Sequence, residues 1–219
     1  MKKFFTYLLA IAAVTTVISC SKDDGPEEPE KPDTELSGKM NINGQTLEIK
    51  SAVYVDVVKE YYEDQISLTL YSETQFPTFK YGESILSATG AWIGINVSKS
   101  FFGKTVDLTQ PFPFSGQRPI PEIHILARES GKGKMVGVKY IPDGSIHVAS
   151  EDVQISDEFG EVVHFNPSPT APVTAGSSLT LTRNGDKFTI KLSLTLNDGR
   201  SVSIDFEGKP TKETLSQEQ

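Results

Sequence analysis

The 219-residue chain holds one cysteine, Cys20, one tryptophan, Trp92, and three histidines, His124, His147 and His164. A lone cysteine excludes an internal disulfide and any zinc or iron–sulfur site built from thiolates, so stability must come from packing. The histidines are too far apart in sequence for a local metal motif. His124 and His147 alternate with apolar neighbours, which predicts that both point away from the core into solvent. Ser87-Ala88-Thr89-Gly90 and Phe114-Ser115-Gly116 do not form the Gly-x-Ser-x-Gly elbow, and no glycine-rich phosphate loop of either common spacing occurs. Lysines and arginines are unclustered in a chain of formal net charge −8, which argues against a nucleic-acid partner. The carboxylates at Glu151-Asp152, Asp157-Glu158 and Glu161 lack the spacing of a calcium loop and read as solvated turn charges. The expectation is a protein without cofactor, metal or catalytic residues, and therefore not an enzyme.

What is present starts with a targeting segment. Lys2 and Lys3 precede an apolar run from Phe4 to Ile18 that closes on Val17-Ile18-Ser19-Cys20. The run is shorter than the roughly 20 residues a membrane-spanning helix needs, and small residues follow it, so it reads as a cleaved leader over 1–19. The closing residues resemble the lipobox of bacterial lipoproteins, with Val17 three before the cysteine and Ser19 just before it. That resemblance implies that Cys20 becomes an acylated N-terminus, held in a membrane by several acyl chains.

Ser21 to Glu35 carries seven acidic residues and three prolines against two lysines. With nothing apolar to bury, it reads as an extended, solvated tether. Serine and acidic residues straight after the lipid cysteine resemble the surface-export signal of Bacteroidetes lipoproteins. This implies an outer-membrane location facing the cell exterior; an acidic spacer on the periplasmic face is the alternative. Once the leader's +2 and the tether's −5 are set aside, the remainder carries −5 of the total −8.

A domain over 36–213 with a short tail over 214–219 follows, and period two dominates it. From Leu47 the odd positions Leu47, Ile49, Val53, Val55 and Val57 form one apolar face, which places Tyr54 on the other. Ile66, Leu68 and Leu70, then Ile93, Ile95 and Val97, alternate with polar residues or with Gly94. Further strands are expected over 105–109, 122–128, 135–141, 145–155 and 161–165, with no more than a helical turn over 59–65. Leu179 and Leu181, the turn at Asn184-Gly185, the run Phe188 to Leu196, the turn at Asn197-Asp198-Gly199 and the run Val202 to Phe206 predict three strands paired in sequence order. The fold expected is an all-β, antiparallel two-sheet sandwich, with a lipocalin-like barrel as the alternative.

The layout as a whole resembles small β-rich lipoproteins of the Bacteroidetes type. The leader and tether match, as do Ile42-Asn43-Gly44-Gln45-Thr46, the segment Phe102 to Leu108, and a last strand pair joined by Asp198-Gly199 and ending in Phe206-Glu207-Gly208. Aromatics between the strands supply the candidate ligand-binding residues: Phe76, Phe79, Tyr81, Phe112 and Phe114, with Arg118 close by and Trp92 on the non-core face of its strand. Proline-stiffened rings can stack on sugars or touch a partner, or they can fold back over the sandwich. An indole on the outer face of a strand is either covered by a loop or offered to a ligand. The function expected is a membrane-anchored binding module for a glycan, nutrient or host molecule, beside an outer-membrane transporter; the alternative is a structural or adhesive component making protein contacts.

Overall fold

The computed structural model describes residues 36–58, 63–77, 85, 88–110, 121–140, 145–156, 160–167 and 172–213. Among these residues, fourteen strands make two sheets. The smaller has the order β2 (Gln45–Glu48), β1 (Ser37–Ile42), β13 (Ser201–Gly208), β12 (Lys187–Thr195), β11 (Ser178–Asn184), β6 (Thr105–Asp107). The larger has the order β10 (Gly160–Pro167), β9 (Ile146–Ser156), β8 (Met135–Tyr140), β7 (Ile123–Arg128), β5 (Trp92–Ser98), β4 (Gln65–Tyr71), β3 (Ser51–Val57), β14 (Thr211–Lys212). Every pairing is antiparallel except β14 on β3. Each sheet ends in edge strands instead of closing on itself, so the architecture is the sandwich and not the barrel.

The main core lies between the sheets and is built from the alternation visible in sequence. Met40, Ile42, Leu179, Leu181, Phe188, Ile190, Leu192, Leu194, Val202, Ile204 and Phe206 come from the small sheet; Ile66, Leu68, Leu70, Ile93, Ile95, Val97, Ile123, Ile125, Val136 and Val138 come from the large one. Fully burying one such side chain contributes roughly 1.5–3 kcal/mol. The β11–β12–β13 meander pairs in sequence order as expected.

Turn chemistry differs in one detail. Asn184 pairs with Lys187, so the two-residue loop is Gly185-Asp186, with the positive φ (61°) on the leading glycine. The Asn-Gly turn with positive φ at both residues is Asn43-Gly44 (49° and 89°), between β1 and β2. Primed turns of this kind match the twist of the strands they join.

The stretch from Leu47 to Val57 is not one strand with one apolar face. It changes sheets at Ile49–Lys50, where Ile49 N–H donates to Gly38 O of β1 and Lys50 N–H donates to Tyr71 O of β4. Because the two sheets view the same core from opposite sides, the inward phase must slip at the crossing. Ile49 faces the core, but beyond it Ala52 and Tyr54 do so, while Val53 and Val55 turn outward yet remain buried. Tyr54 packs on Phe188 across the sheets, with ring centroids 4.9 Å apart.

β3 starts near Gly38 of β1 and reaches Arg183 of β11 at its far end. The other end of β1 meets β7 through Asn43 Nδ2–H donating to Glu129 Oε1 at 2.6 Å. A chain that bends from one sheet into the next is how such corners are made.

An ion-pair cluster closes the Arg183 corner. Asp56 lies 3.4 Å from Arg183, 3.7 Å from Lys99 and 3.3 Å from Lys212, and the Arg183 guanidinium sits over the Tyr54 and Phe188 rings. Burial pushes the Asp56 carboxyl upward, but the hydrogen bond from Lys212 and the charges of Arg183 and Lys99 outweigh it, holding the group below its ordinary 3.8. A depressed carboxyl stabilises the fold above its unfolded value, and that contribution is lost as pH falls through the folded one. Thermal melting from about pH 5 down to 2 is expected to show a falling midpoint, and Asp56→Asn to flatten the lower part of that curve.

Candidate functional site: the outer face of the large sheet

Residues whose neighbours along the strand enter the core point out on the far side of the large sheet, and the ladders align them in rows across the strands. One row is Tyr71–Trp92–Arg128–Met135. A second is Thr69–Gly94–Leu126–Gly137, and a third is Ser67–Asn96–His124–Lys139–His147. Gln65, Ser98 and Glu122 lie beyond the third, with Ser98 N–H donating to Glu122 O.

Tyr71, Trp92 and Met135 of the first row belong to a second apolar cluster with Leu126, Ile85, Ala88, Ala149 and Val163, with Phe76 and Phe165 packed against it. Trp92 is 0% exposed. Of the two fates open to an outer-face indole, it has the covered one, and in this conformation it offers no stacking surface. Its Nε1–H finds no hydrogen-bond partner among the described residues. Phe76 is half-buried, edge-on to Tyr71 at 5.8 Å. Phe79, Tyr81, Phe112, Phe114 and Arg118 lie outside the described residues.

The third row is different, since Asn96, His124, Lys139 and His147 are all half-buried and so retain contact with solvent. Ser67, at the β4 end, is buried; adjacent strands are about 4.8 Å apart, so the four half-buried side chains span about 14 Å. Beside them the second row is buried at Thr69, Leu126 and Gly137 and half-buried at Gly94. A methyl at Gly94 would meet only Leu126 O and the Trp92 ring, both at 3.8 Å, so this position has room; at Gly137 a methyl would approach Leu126 Cδ1 to 2.7 Å.

His124 does not point freely into solvent as the alternation suggested. Its side chain is 11% exposed, and its Nε2 lies 2.7 Å from Glu122 Oε1. The other oxygen, Oε2, accepts from Gln65 Nε2–H at 2.6 Å, and Glu122 N–H donates to Ser98 Oγ at 2.7 Å. A carboxylate clamped on both oxygens fixes the imidazole's orientation. His147 is half-buried beside Ser145, Nε2 to Oγ 3.1 Å, and His164 is exposed. β8 separates His124 from His147, and among the described residues no three His, Cys, Asp or Glu side chains converge as a metal site.

The Glu122–His124 pair was within reach of sequence reasoning, because an i, i+2 spacing on a strand puts both on one face. Gln65, 57 residues away, was not. Chemically the face offers a short line of half-buried hydrogen-bonding side chains, Asn96, His124, Lys139 and His147. Ser98 Oγ accepts the Glu122 N–H.

A β-sandwich with a polar row on its outer sheet face is therefore the class that fold and site define. No protein-family model, curated protein or solved structure matches the chain.

Proposed function

We propose that this chain is a lipid-anchored surface protein, attached through Cys20 and a tether over 21–35, that binds an extended polar ligand without chemistry, a glycan in the first instance. The observation that carries this reading is the half-buried row Asn96–His124–Lys139–His147, whose regular spacing suits a linear polymer with polar groups along its length.

The test is a glycan array probed with the full chain in detergent. Binding to an extended oligosaccharide is expected, and Gly94→Leu, which adds bulk beside Asn96's row, or Asn96→Ala should weaken it at least about tenfold, the scale of one or two lost hydrogen bonds, with the melting temperature held. Binding that survives both substitutions removes this face from the reading. Mass spectrometry of the mature N-terminus is expected to find an acylated Cys20; an unmodified start overturns the anchor.

A second reading, an adhesive component making protein contacts, is favoured by β10. The edge strands β2, β6 and β14 have four, three and two residues, whereas β10 has eight and no further partner strand among the described residues. Long free edges are where an added strand pairs.

A further inference from the structure

We infer that the outer face of the small sheet is a docking surface for a second copy of this chain. Its residues are those whose strand neighbours Met40, Ile42, Leu192 and Ile204 enter the core, and they are exposed or half-buried throughout. The ladders align four of them, one per strand, as Glu48–Lys39–Asp205–Lys191 across β2, β1, β13 and β12. Charge alternates along this row, acid, base, acid, base, and all four side chains are exposed. No ion pair among the described residues takes up any of the four.

The order of the charges selects the partner. Reversing the row gives base, acid, base, acid, so a copy turned over about an axis running along the strands between β1 and β13 sets opposite charges against each other at every position. Glu48 meets the partner's Lys191, Lys39 meets the partner's Asp205, and the two-fold axis repeats both contacts the other way round, the isologous arrangement of a symmetric dimer. The neighbouring row, Thr46–Asn41–Ser203–Ser193, is short and uncharged. Under the same axis Thr46 meets the partner's Ser193 and Asn41 the partner's Ser203, so this row adds no bulk between the two sheets. The lysines also find room. A hollow lined by Ser37, Lys39, Glu48, Asp205 and Glu207 opens at the charged row, and with Glu207 held by Lys187 its free carboxylates are Glu48 and Asp205. These are the two that the reversed row presents to the partner's lysines. Matched surface charges fix register and reject wrong partners more than they add affinity, which makes the dimer a reversible one.

Sedimentation of the full chain in density-matched detergent is expected to show a reversible dimer at micromolar concentrations. Lys191→Glu and Glu48→Lys should each weaken it at least about tenfold by opposing like charges, with the melting temperature held. Both changes in one chain should restore the dimer. That restoration cannot arise within one molecule, because β2 and β12 are three strand spacings apart, about 14 Å. Should the combined variant fail to fold, an equimolar mixture of the two single variants reads the same contact, since each then offers the charge its partner lacks. A chain that stays monomeric over the whole concentration range, or a dimer indifferent to Lys191→Glu, overturns the docking surface. A dimer that Lys191→Glu weakens and neither the combined variant nor the mixture restores overturns the pairing of Glu48 with Lys191, and the axis with it. The glycan row lies on the other side of the sandwich, so its test stands or falls separately.

Discussion

Trp92→Ala is expected to destabilise the fold by about 3–5 kcal/mol, the range for deleting a large buried aromatic and leaving a cavity. The indole is fully covered, among Tyr71, Leu126, Met135 and Ala149 in the cluster on the outer side of the large sheet. Trp92→Phe should behave quite differently. The buried Nε1–H has no acceptor among the described residues, and an unsatisfied buried donor costs about 1–3 kcal/mol. Phenylalanine discards that donor while keeping most of the apolar volume, so the net change should stay within about 1.5 kcal/mol. Chemical denaturation of both variants checks the pair. A tryptophan serving as an exposed ligand platform would give the opposite pattern, with little change in stability for either substitution and lost binding for both.

The second large effect concerns Arg200, in the turn between β12 and β13. Its Nη1–H donates to Met135 O at 2.9 Å and to Ala149 O at 3.0 Å, reaching from the small sheet to two strands of the large one. Its Nε–H and Nη2 hold Asp198 Oδ2 at 2.8 and 2.7 Å. The hydrogen bond from Arg200 is the chief cause that keeps the Asp198 carboxyl below its ordinary value. The β8–β9 ladder runs only from Val138↔Val148 to Tyr140↔Ile146, so the guanidinium supplies partners to carbonyls that this ladder leaves out. Arg200→Ala strands two carbonyls in a buried corner, at a cost of about 2–4 kcal/mol. In a domain of this size the melting point should fall by roughly 5–12 °C. Arg200→Lys should recover only part of this, since an ammonium lacks the planar fork that spans two acceptors. A melting temperature unchanged in Arg200→Ala would refute the role as an inter-sheet clasp.

How much of this was legible beforehand varies element by element. The hairpins around Gly185 and Gly199 and the alternation from Phe188 to Leu196 are local features, and the structure follows them. β1 and β14 carried weaker signals, β1 because Gly38 interrupts its apolar face and β14 because two residues have no periodicity. Leu47 to Val57 misled for a specific reason: alternation identifies which residues share a face, but a chain passing between two sheets reverses which face is inward. His124 misled for another. An alternating polar residue is assigned to solvent on the assumption that the far side of a sheet is bare, whereas here Gln65, Ser67, Thr69, Ser98 and Trp92 on that side are all buried.

Local chemistry by itself determined the all-strand class, the positions of most strands, the tight turns and the expectation of a lipid-bearing leader with an acidic tether, because each depends on residues within a few positions of one another. Only the tertiary structure decided which face of each strand meets the core, that Trp92 lies covered, and that Asn96, His124, Lys139 and His147 stand in one row. Such a row is made of residues brought side by side through hydrogen-bonded ladders, and ladder order and register are set by how two whole sheets bury their apolar faces together.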